Sequence, residues 1–267
     1  MGILNVTPDS FHDGGRYADT ECAVARAHEM IAEGADIVDV GGESSRPGAV
    51  PVSAQEEIDR VCPVIERIAR EWDAVISVDT YKSRVAREAL RAGARIVNDI
   101  SGLGGDEAMA GVVAEHGARI VVMHMKGTPA TMQQSPAYRD LLAEVREGLE
   151  RGISRARAAG IPADTIIVDP GIGFGKTMEH NYEILRNIPF FKAMGYPVLI
   201  GLSRKSLIKG LYEGEADRLP ATIALNAAAV MTGADIIRVH DVKEHRLAMA
   251  AIEMLKRVPA ENGSAVR

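Results

Sequence analysis

Gly34-Ala35-Asp36-Ile37-Val38-Asp39 joins two patterns that recur along the chain. Its first half, a Gly-Ala step after a helical stretch, returns as Gly93-Ala94-Arg95-Ile96-Val97, Gly117-Ala118-Arg119-Ile120-Val121 and Gly233-Ala234-Asp235-Ile236-Ile237. A glycine there suits the left-handed residue just past a helix end, where a Cβ is penalised. One αβ loop is therefore used at least four times. The second half is a short β-branched run that stops at a polar residue. Ile3-Leu4 stops at Asn5, Val75-Ile76-Ser77-Val78 at Asp79, and Ile96-Val97 at Asn98-Asp99. Val121-Val122-Met123 stops at His124 and Ile166-Ile167-Val168 at Asp169. Val198-Leu199-Ile200 runs through Gly201 to Ser203-Arg204-Lys205, and Ile236-Ile237 leads into Arg238 and His240. Apolar runs without alternation are strands buried on both faces, as in a parallel sheet. Reactive groups at their carboxyl ends are the arrangement of a (βα)₈ barrel.

Working outward, the intervening segments change to helical period. Helices are expected at Glu21 to Glu33, Ala54 to Glu71, Lys82 to Ala92, Glu107 to His116, Asp140 to Ala159, Met178 to Ile188, Pro220 to Thr232 and Val242 to Lys256. Ser53, followed three residues later by Glu56, predicts a capping box at the second of these. Alternating strands and helices imply right-handed crossovers in a parallel sheet, and about eight units favour closure. The fold class is thus α/β, a TIM barrel in a single domain over 1–267, with a frayed tail at 259–267. Two connections are long, Asn5 to Asp19 and Gly41 to Ser53. Both follow strands, so both belong to the active face, where long loops serve as lids.

Bulk composition narrows the function. Hydrophobic content of 46% and charged content of 25% suit a globular protein with a sizeable core. The net charge of −6 with interspersed signs, and the lack of a basic stripe, argue against nucleic acid as a partner. The apolar runs fall far short of the roughly 20 residues that span a bilayer. No positively charged segment leads into an apolar one at the amino end, so a cytoplasmic location is expected. Cys22 and Cys62 lie far apart in predicted helices and fit reduced thiols better than a disulfide.

The strand ends carry the chemistry. Ser203-Arg204-Lys205-Ser206 follows the seventh strand, and Arg238 and His240 sit two apart on the eighth, hence on one side. Loops after strands seven and eight are the usual phosphate site of this fold, and a helix starting near Ser206 would add N–H donors. Asp79, Asn98 and Asp169 end three other strands and together form a ring of acceptors suited to a flat heterocycle with neighbouring N–H groups. Each alone could equally be a structural polar group or a helix cap. Lys205 supplies a donor, while Ile100, Met123 and Phe174 supply apolar walls.

Other matches fail. Asp169-Pro170-Gly171-Ile172-Gly173-Phe174-Gly175-Lys176-Thr177 ends like a P-loop, but Pro170 stands where the first glycine belongs. The segment is a Gly-rich turn, and it also lacks dinucleotide spacing. No His/Cys cluster has zinc spacing, and His124 is expected to be a supporting group rather than a ligand.

These motifs resemble the dihydropteroate synthases. Gly2-Ile3-Leu4-Asn5-Val6-Thr7-Pro8-Asp9-Ser10-Phe11 with Asp13-Gly14-Gly15 is similar to that family's first signature, and Asp39-Val40-Gly41-Gly42-Glu43-Ser44-Ser45-Arg46-Pro47-Gly48 to its second. Val78-Asp79-Thr80, Asn98-Asp99-Ile100, Asp169-Pro170-Gly171, Ser203-Arg204-Lys205 and Arg238-Val239-His240-Asp241-Val242 complete the set, over Gly2 to about Lys256. The resemblance implies a (βα)₈ barrel, usually a homodimer, that condenses a dihydropterin methyl diphosphate with p-aminobenzoate to give 7,8-dihydropteroate and pyrophosphate, a step that sulfonamides inhibit. It implies that Asp79, Asn98, Asp169 and Lys205 hold the pterin, and that Ser45, Arg46, Arg238 and His240 hold the diphosphate. Asn5 is implied in an Mg²⁺–diphosphate site, and Ser206 at the p-aminobenzoate carboxylate. Phe11 and Pro47 are implied as walls of that slot, with Asp13 opposing positive charge on the pterin methylene. Asp13 and Lys205 are thus the catalytic candidates.

Two features depart from the family. A short segment usually precedes the first strand, whereas this sequence opens at Met1-Gly2, a difference expected to touch stability more than chemistry. His12 stands where the family usually has Ser, a change in a lid that either alters loop ordering or does nothing. Corrinoid-dependent methyltransferases that act on methyltetrahydrofolate share the acceptor ring but lack the Thr-Pro-Asp-Ser-Phe and Ser-Arg-Lys signatures. A pterin-binding paralogue without turnover is the other alternative.

Overall fold

A computed structural model describes residues 1–7, 15–44, 50–209 and 218–257. Phe11, His12, Asp13, Ser45, Arg46, Pro47 and the 259–267 tail lie outside the described residues. Six strands run parallel in sequence order: β1 (Gly2–Asn5), β2 (Ile37–Gly41), β3 (Val75–Asp79), β4 (Ile96–Asp99), β5 (Arg119–Met123) and β6 (Ile166–Asp169). β7 (Leu199–Ile200) and β8 (Ile236–Ile237) form a parallel pair. The ring closes at both seams. Val168 bridges to Val198 and Gly2 to Val239, with Val168 N–H donating to Pro197 O and Ile3 N–H to Val239 O at 2.9 Å each. The result is the expected (βα)₈ barrel.

Strand residues alternate between two apolar environments near the amino ends. Val38, Val40, Ile76, Val78, Val97, Ile120 and Val168 face outward onto the helices in the main core. Ile96, Val121, Ile167 and Leu199, with Met1, Ile37, Val75 and Ile236, fill the lower barrel. Two residues further along the inward-facing positions, the side chains turn polar. Asp39, Ser77 and Asn98 are buried there, and the register sets Asp39 beside Ser77 and Asp79 beside Asn98. The apolar plug below excludes water, so the polar layer opens only toward the carboxyl end.

The helices are α1 (Gly15–Ala32), α2 (Ala54–Glu71), α3 (Ser83–Ala92), α4 (Met109–Glu115), α5 (Leu141–Ala158), α6 (Met178–Arg186), α7 (Ile188–Lys192), α8 (Ser206–Lys209), α9 (Leu219–Thr232) and α10 (Val242–Arg257). The Ser53 cap is present, with Glu56 N–H donating to its Oγ at 3.1 Å. The expected capping box is only half made, because the Glu56 carboxylate pairs with Arg60 at 2.5 Å. The single helix expected over Met178 to Ile188 ends at Arg186 and restarts as α7. Pro189 explains the break, since it has no N–H and its ring clashes with the carbonyl four residues back.

The repeated Gly-Ala loop is one hydrogen-bonded motif. Ala35, Ala94, Ala118 and Ala234 each donate N–H to the carbonyl five residues back, at 2.9–3.1 Å. The glycine before each has positive φ, as a Schellman cap requires. Ile161 makes the same bond after Gly160, a fifth instance. The glycines differ in surroundings. At Gly93 (φ +121°) a Cβ would lie 2.6 Å from Ala69 Cβ, whereas at Gly117 (φ +61°) nothing lies within 4 Å. Gly117→Ala should therefore cost only the left-handed backbone penalty, about 1–2 kcal/mol. Gly93→Ala should cost roughly 1–3 kcal/mol more, for displacing α2 from α3. Urea denaturation of both variants checks this, and equal losses would show that the Ala69 contact carries no weight.

Candidate active site

Arg238, just past β8, is the centre of the barrel mouth. Its Nε donates to Asp39 Oδ2 at 2.5 Å and one Nη to Asp79 Oδ2 at 2.6 Å. Asn98 Nδ2 donates to the same Asp39 oxygen at 3.0 Å. Three strand ends are thus tied to a fourth from across the barrel. Burial pushes the Asp79 carboxyl up to about 7, opposed by Arg238 and reinforced by Asp39. Burial works against the Arg238 charge too, but the two carboxylates outweigh it and hold its pKa above the usual range. The register continues the row to β1, where Asn5 pairs with Gly41 and Gly41 with Asp79. Asn5 Oδ1 and Asp79 Oδ2 both lie within 4 Å of the point a Gly41 Cβ would occupy. A side chain there would crowd the two oxygens.

The opposite side of the mouth is built by the turn after β6. Asp169 is buried, and its Oδ1 accepts the Gly171 N–H at 2.7 Å. Burial raises its pKa against the pull of Lys205, Gly171 N–H, Lys176 and Arg238. Lys205, half-buried, donates to Ile172 O, and its Nζ sits 4.5 Å from the centre of the Phe174 ring. Burial brings this amine down to about 8, with Asp169 and Asp79 opposing and Arg238 reinforcing the fall. Asp169, Lys205 and Arg238 therefore share one rim. Ile100, Met123, Met132 and Phe174 form an apolar cluster beside it, joined by Tyr81 and Met125. Ile100, Met123 and Phe174, the three expected to supply apolar walls, thus lie together.

The cationic set after β7 divides. Lys205 turns inward, but Arg204 adopts φ +59° and pairs with Asp241, its side chain 58% exposed. Arg204 thus belongs to the surface, not to the anion site proposed for the whole run. Ser203 Oγ lies 3.0 Å from His240 Nδ1 and accepts His240 N–H at 3.3 Å, which ties the ends of β7 and β8 together. Ser206 opens α8 with an exposed side chain.

Several groups at this face were not singled out from sequence. Asp39, a strand end that opens the second signature, is fully buried and holds both Arg238 and Asn98. Lys82 Nζ reaches Glu43, Glu57 at 2.6 Å and Val52 O at 2.8 Å, while Tyr81 OH donates to Glu43 at 2.6 Å. This knot fastens the two ends of the second long loop and borders a cleft shared with Asp79, Thr80 and Ile100. Its only sequence signal was the Glu43 in the second signature. Among the described residues no cluster of three His, Cys, Asp or Glu could hold a metal ion. His124 is a supporting group, as expected, buried against Lys176 at 3.0 Å.

A pterin-binding enzyme family model matches residues 1–240. The dihydropteroate synthase of Escherichia coli K12 is 48% identical over 254 residues, covering 95% of this chain and 90% of the relative. A Clostridium difficile dihydropteroate synthase solved in the presence of pteroic acid superposes with a TM-score of 0.90 at 43% identity, over 97% of this chain and 96% of that one. The Xanthomonas albilineans dihydropteroate synthase with 4-aminobenzoic acid gives 0.90 at 41% identity, over 97% and 93%. With the family model covering most of the sequence and the relatives nearly all of it, the chain belongs to the dihydropteroate synthases, a family of pterin-binding enzymes.

Proposed function

We propose that the protein is a transferase of folate synthesis that joins (7,8-dihydropterin-6-yl)methyl diphosphate to p-aminobenzoate, releasing 7,8-dihydropteroate and pyrophosphate. The observation that carries this reading is the single rim on which Asp79, Asn98 and Arg238 face Asp169 and Lys205, with an apolar wall beside them. Buried carboxylates and an amide accept N–H groups of a pterin edge. Lys205 donates to its carbonyl or ring nitrogen, and Phe174 and Met123 cover its faces. A guanidinium has five N–H donors. Asp39 and Asp79 engage Nε and one Nη of Arg238, which leaves donors for an oxyanion. With His240, and with Ser45 and Arg46 of the second loop, Arg238 receives the diphosphate.

Asn5 offers one neutral amide oxygen beside Asp79. That donor suits Mg²⁺, which keeps several waters and takes other ligands from substrate phosphates. When bound there, the ion would neutralise charge on the departing diphosphate. The C–O bond of the pterin methylene breaks with its electron pair leaving on the diphosphate, and the cation left behind is stabilised by conjugation into the ring. Asp13 opposes that charge. The arylamine nitrogen forms the new C–N bond and loses its proton to solvent or diphosphate. An aromatic amine is already nucleophilic, so no strong base is assigned. Ser206 meets the p-aminobenzoate carboxylate, and Phe11 and Pro47 wall the slot, which keeps water from competing.

We also place the protein in the cytoplasm as a homodimer. Cys22 and Cys62 are free thiols, and burial pushes Cys62 up to about 12, which leaves it unreactive. None of the described helices is long and apolar enough to cross a membrane. Neighbouring helices α9 and α10 expose Met231, Leu247, Met254 and Leu255. Exposed apolar side chains on two adjacent helices suit a second copy.

Purified protein with Mg²⁺ should release pyrophosphate only when both substrates are present, and EDTA should suppress the release. Pterin binding without release would make it the silent paralogue. Lys205→Ala should lower kcat/KM by about 100-fold or more, the scale of a lost transition-state donor, with the thermal midpoint nearly unchanged. Retained activity would remove Lys205 from the site. Leu247→Glu combined with Met254→Glu should turn a dimer into a monomer in sedimentation velocity, and an unaltered dimer would place the interface elsewhere.

A further inference from the structure

Lys176 is the lysine of the segment that imitates a P-loop, and the mechanism above does not use it. Its side chain is buried, 3% exposed. Nζ donates to Phe174 O and His124 Nδ1 at 3.0 Å each, with His124 O at 3.4 Å. No carboxylate is among these partners, and Asp169 acts on it only through space. His124 is itself fixed, because a Cβ on Gly148 of α5 would lie 2.4 Å from its ring. Burial and the neighbouring cations push that imidazole down to about 3, so it stays a neutral acceptor.

The turn that Lys176 closes is pressed onto the end of β5. A Cβ at Gly171 would lie 1.9 Å from His124 O, and one at Gly175 2.4 Å from Lys126 O. Tyr138 OH adds a second tie, to Gly175 O at 2.8 Å. The same turn carries the Ile172 carbonyl that holds Lys205, the Gly171 N–H that holds Asp169, and the Phe174 ring. We propose that Lys176 is a positioning residue for pterin binding: its amine rivets the β6 turn to the β5 end and so sets Phe174 and the Ile172 carbonyl where Lys205 and the bicycle need them. The proposal rests on the synthase reading.

A purely structural role makes a different forecast. Desolvation lowers the Lys176 pKa to about 7, so burying the amine works against the fold. Methionine fills a similar volume without that penalty but leaves the Phe174 and His124 acceptors unpaired, so the two effects oppose each other. Lys176→Met should therefore leave the thermal midpoint little changed. By our proposal it should nonetheless weaken calorimetric binding of 7,8-dihydropterin at least tenfold, raise KM for the pterin diphosphate, and leave KM for p-aminobenzoate within twofold. Lys176→Gln, which keeps an N–H donor, should recover part of the affinity. Dihydropterin affinity within twofold of the parent would overturn the proposal, as would a uniform loss of kcat and both KM values with a lower midpoint. If Lys176→Met does not fold, Tyr138→Phe cuts the other tie. It should weaken dihydropterin binding at unchanged p-aminobenzoate KM, and unaltered affinity would again overturn the role. A parent protein that binds no dihydropterin would instead sink the synthase reading itself.

Discussion

The active face depends on one buried ion cluster, Arg238 between Asp39 and Asp79. Removing charges from water costs several kcal/mol per ion unless geometry and extra hydrogen bonds compensate. Here one guanidinium, two carboxylates and the Asn98 amide compensate each other across four strands. Loss of any one member leaves an unpaired buried group, so the cluster dictates that these strands meet in this order and at this height. It also explains why the inward positions change character along each strand. The plug of Met1, Ile96, Val121, Ile167 and Leu199 forms an apolar floor, and the polar layer above it is held by the two Arg238 ion pairs.

Much of this was legible in the sequence because barrels repeat local rules. The Gly-Ala loop carries its own conformational requirement, so four of its five occurrences were visible as text. The fifth, at Gly160-Ile161, lacks the alanine and was hidden although its hydrogen bond is the same. Strand ends were readable because an apolar run must stop where the barrel opens. The expected helix already stops at Ile188, next to Pro189, and the short α7 that starts there carries too few residues to show a period of its own.

What the sequence withheld was direction. Arg204 and Lys205 are adjacent cations, and only the left-handed backbone at Arg204 sends one to Asp241 and the other to Ile172. Asp39, Asp79 and Asp169 read alike as strand ends. Asp39 nevertheless serves Arg238 and Asn98, whereas Asp169 is braced by its own turn. Lys176 looked like a failed phosphate ligand because spacing does not reveal that its amine points back into the protein. Such distinctions arise from long-range packing, which local spacing cannot encode.

The site then divides its cations by chemistry. Arg238 is held charged by two carboxylates and keeps its charge at any pH the protein meets, which suits a partner that is always an anion. Lys205 and Asp79 are different, since burial brings the amine down to about 8 and the carboxyl up to about 7. A donor and an acceptor so close to neutrality match the lactam and ring N–H groups of a pterin, which present no full charge of their own. On the proposed reading, the diphosphate and the bicycle are told apart by how firmly each protein group is held to its charge. Arg238 and Asp79 are set by the buried cluster and Lys205 by the β6 turn, so in the proposed reaction the heterocycle and its leaving group rest on adjoining supports, with the methylene carbon between them.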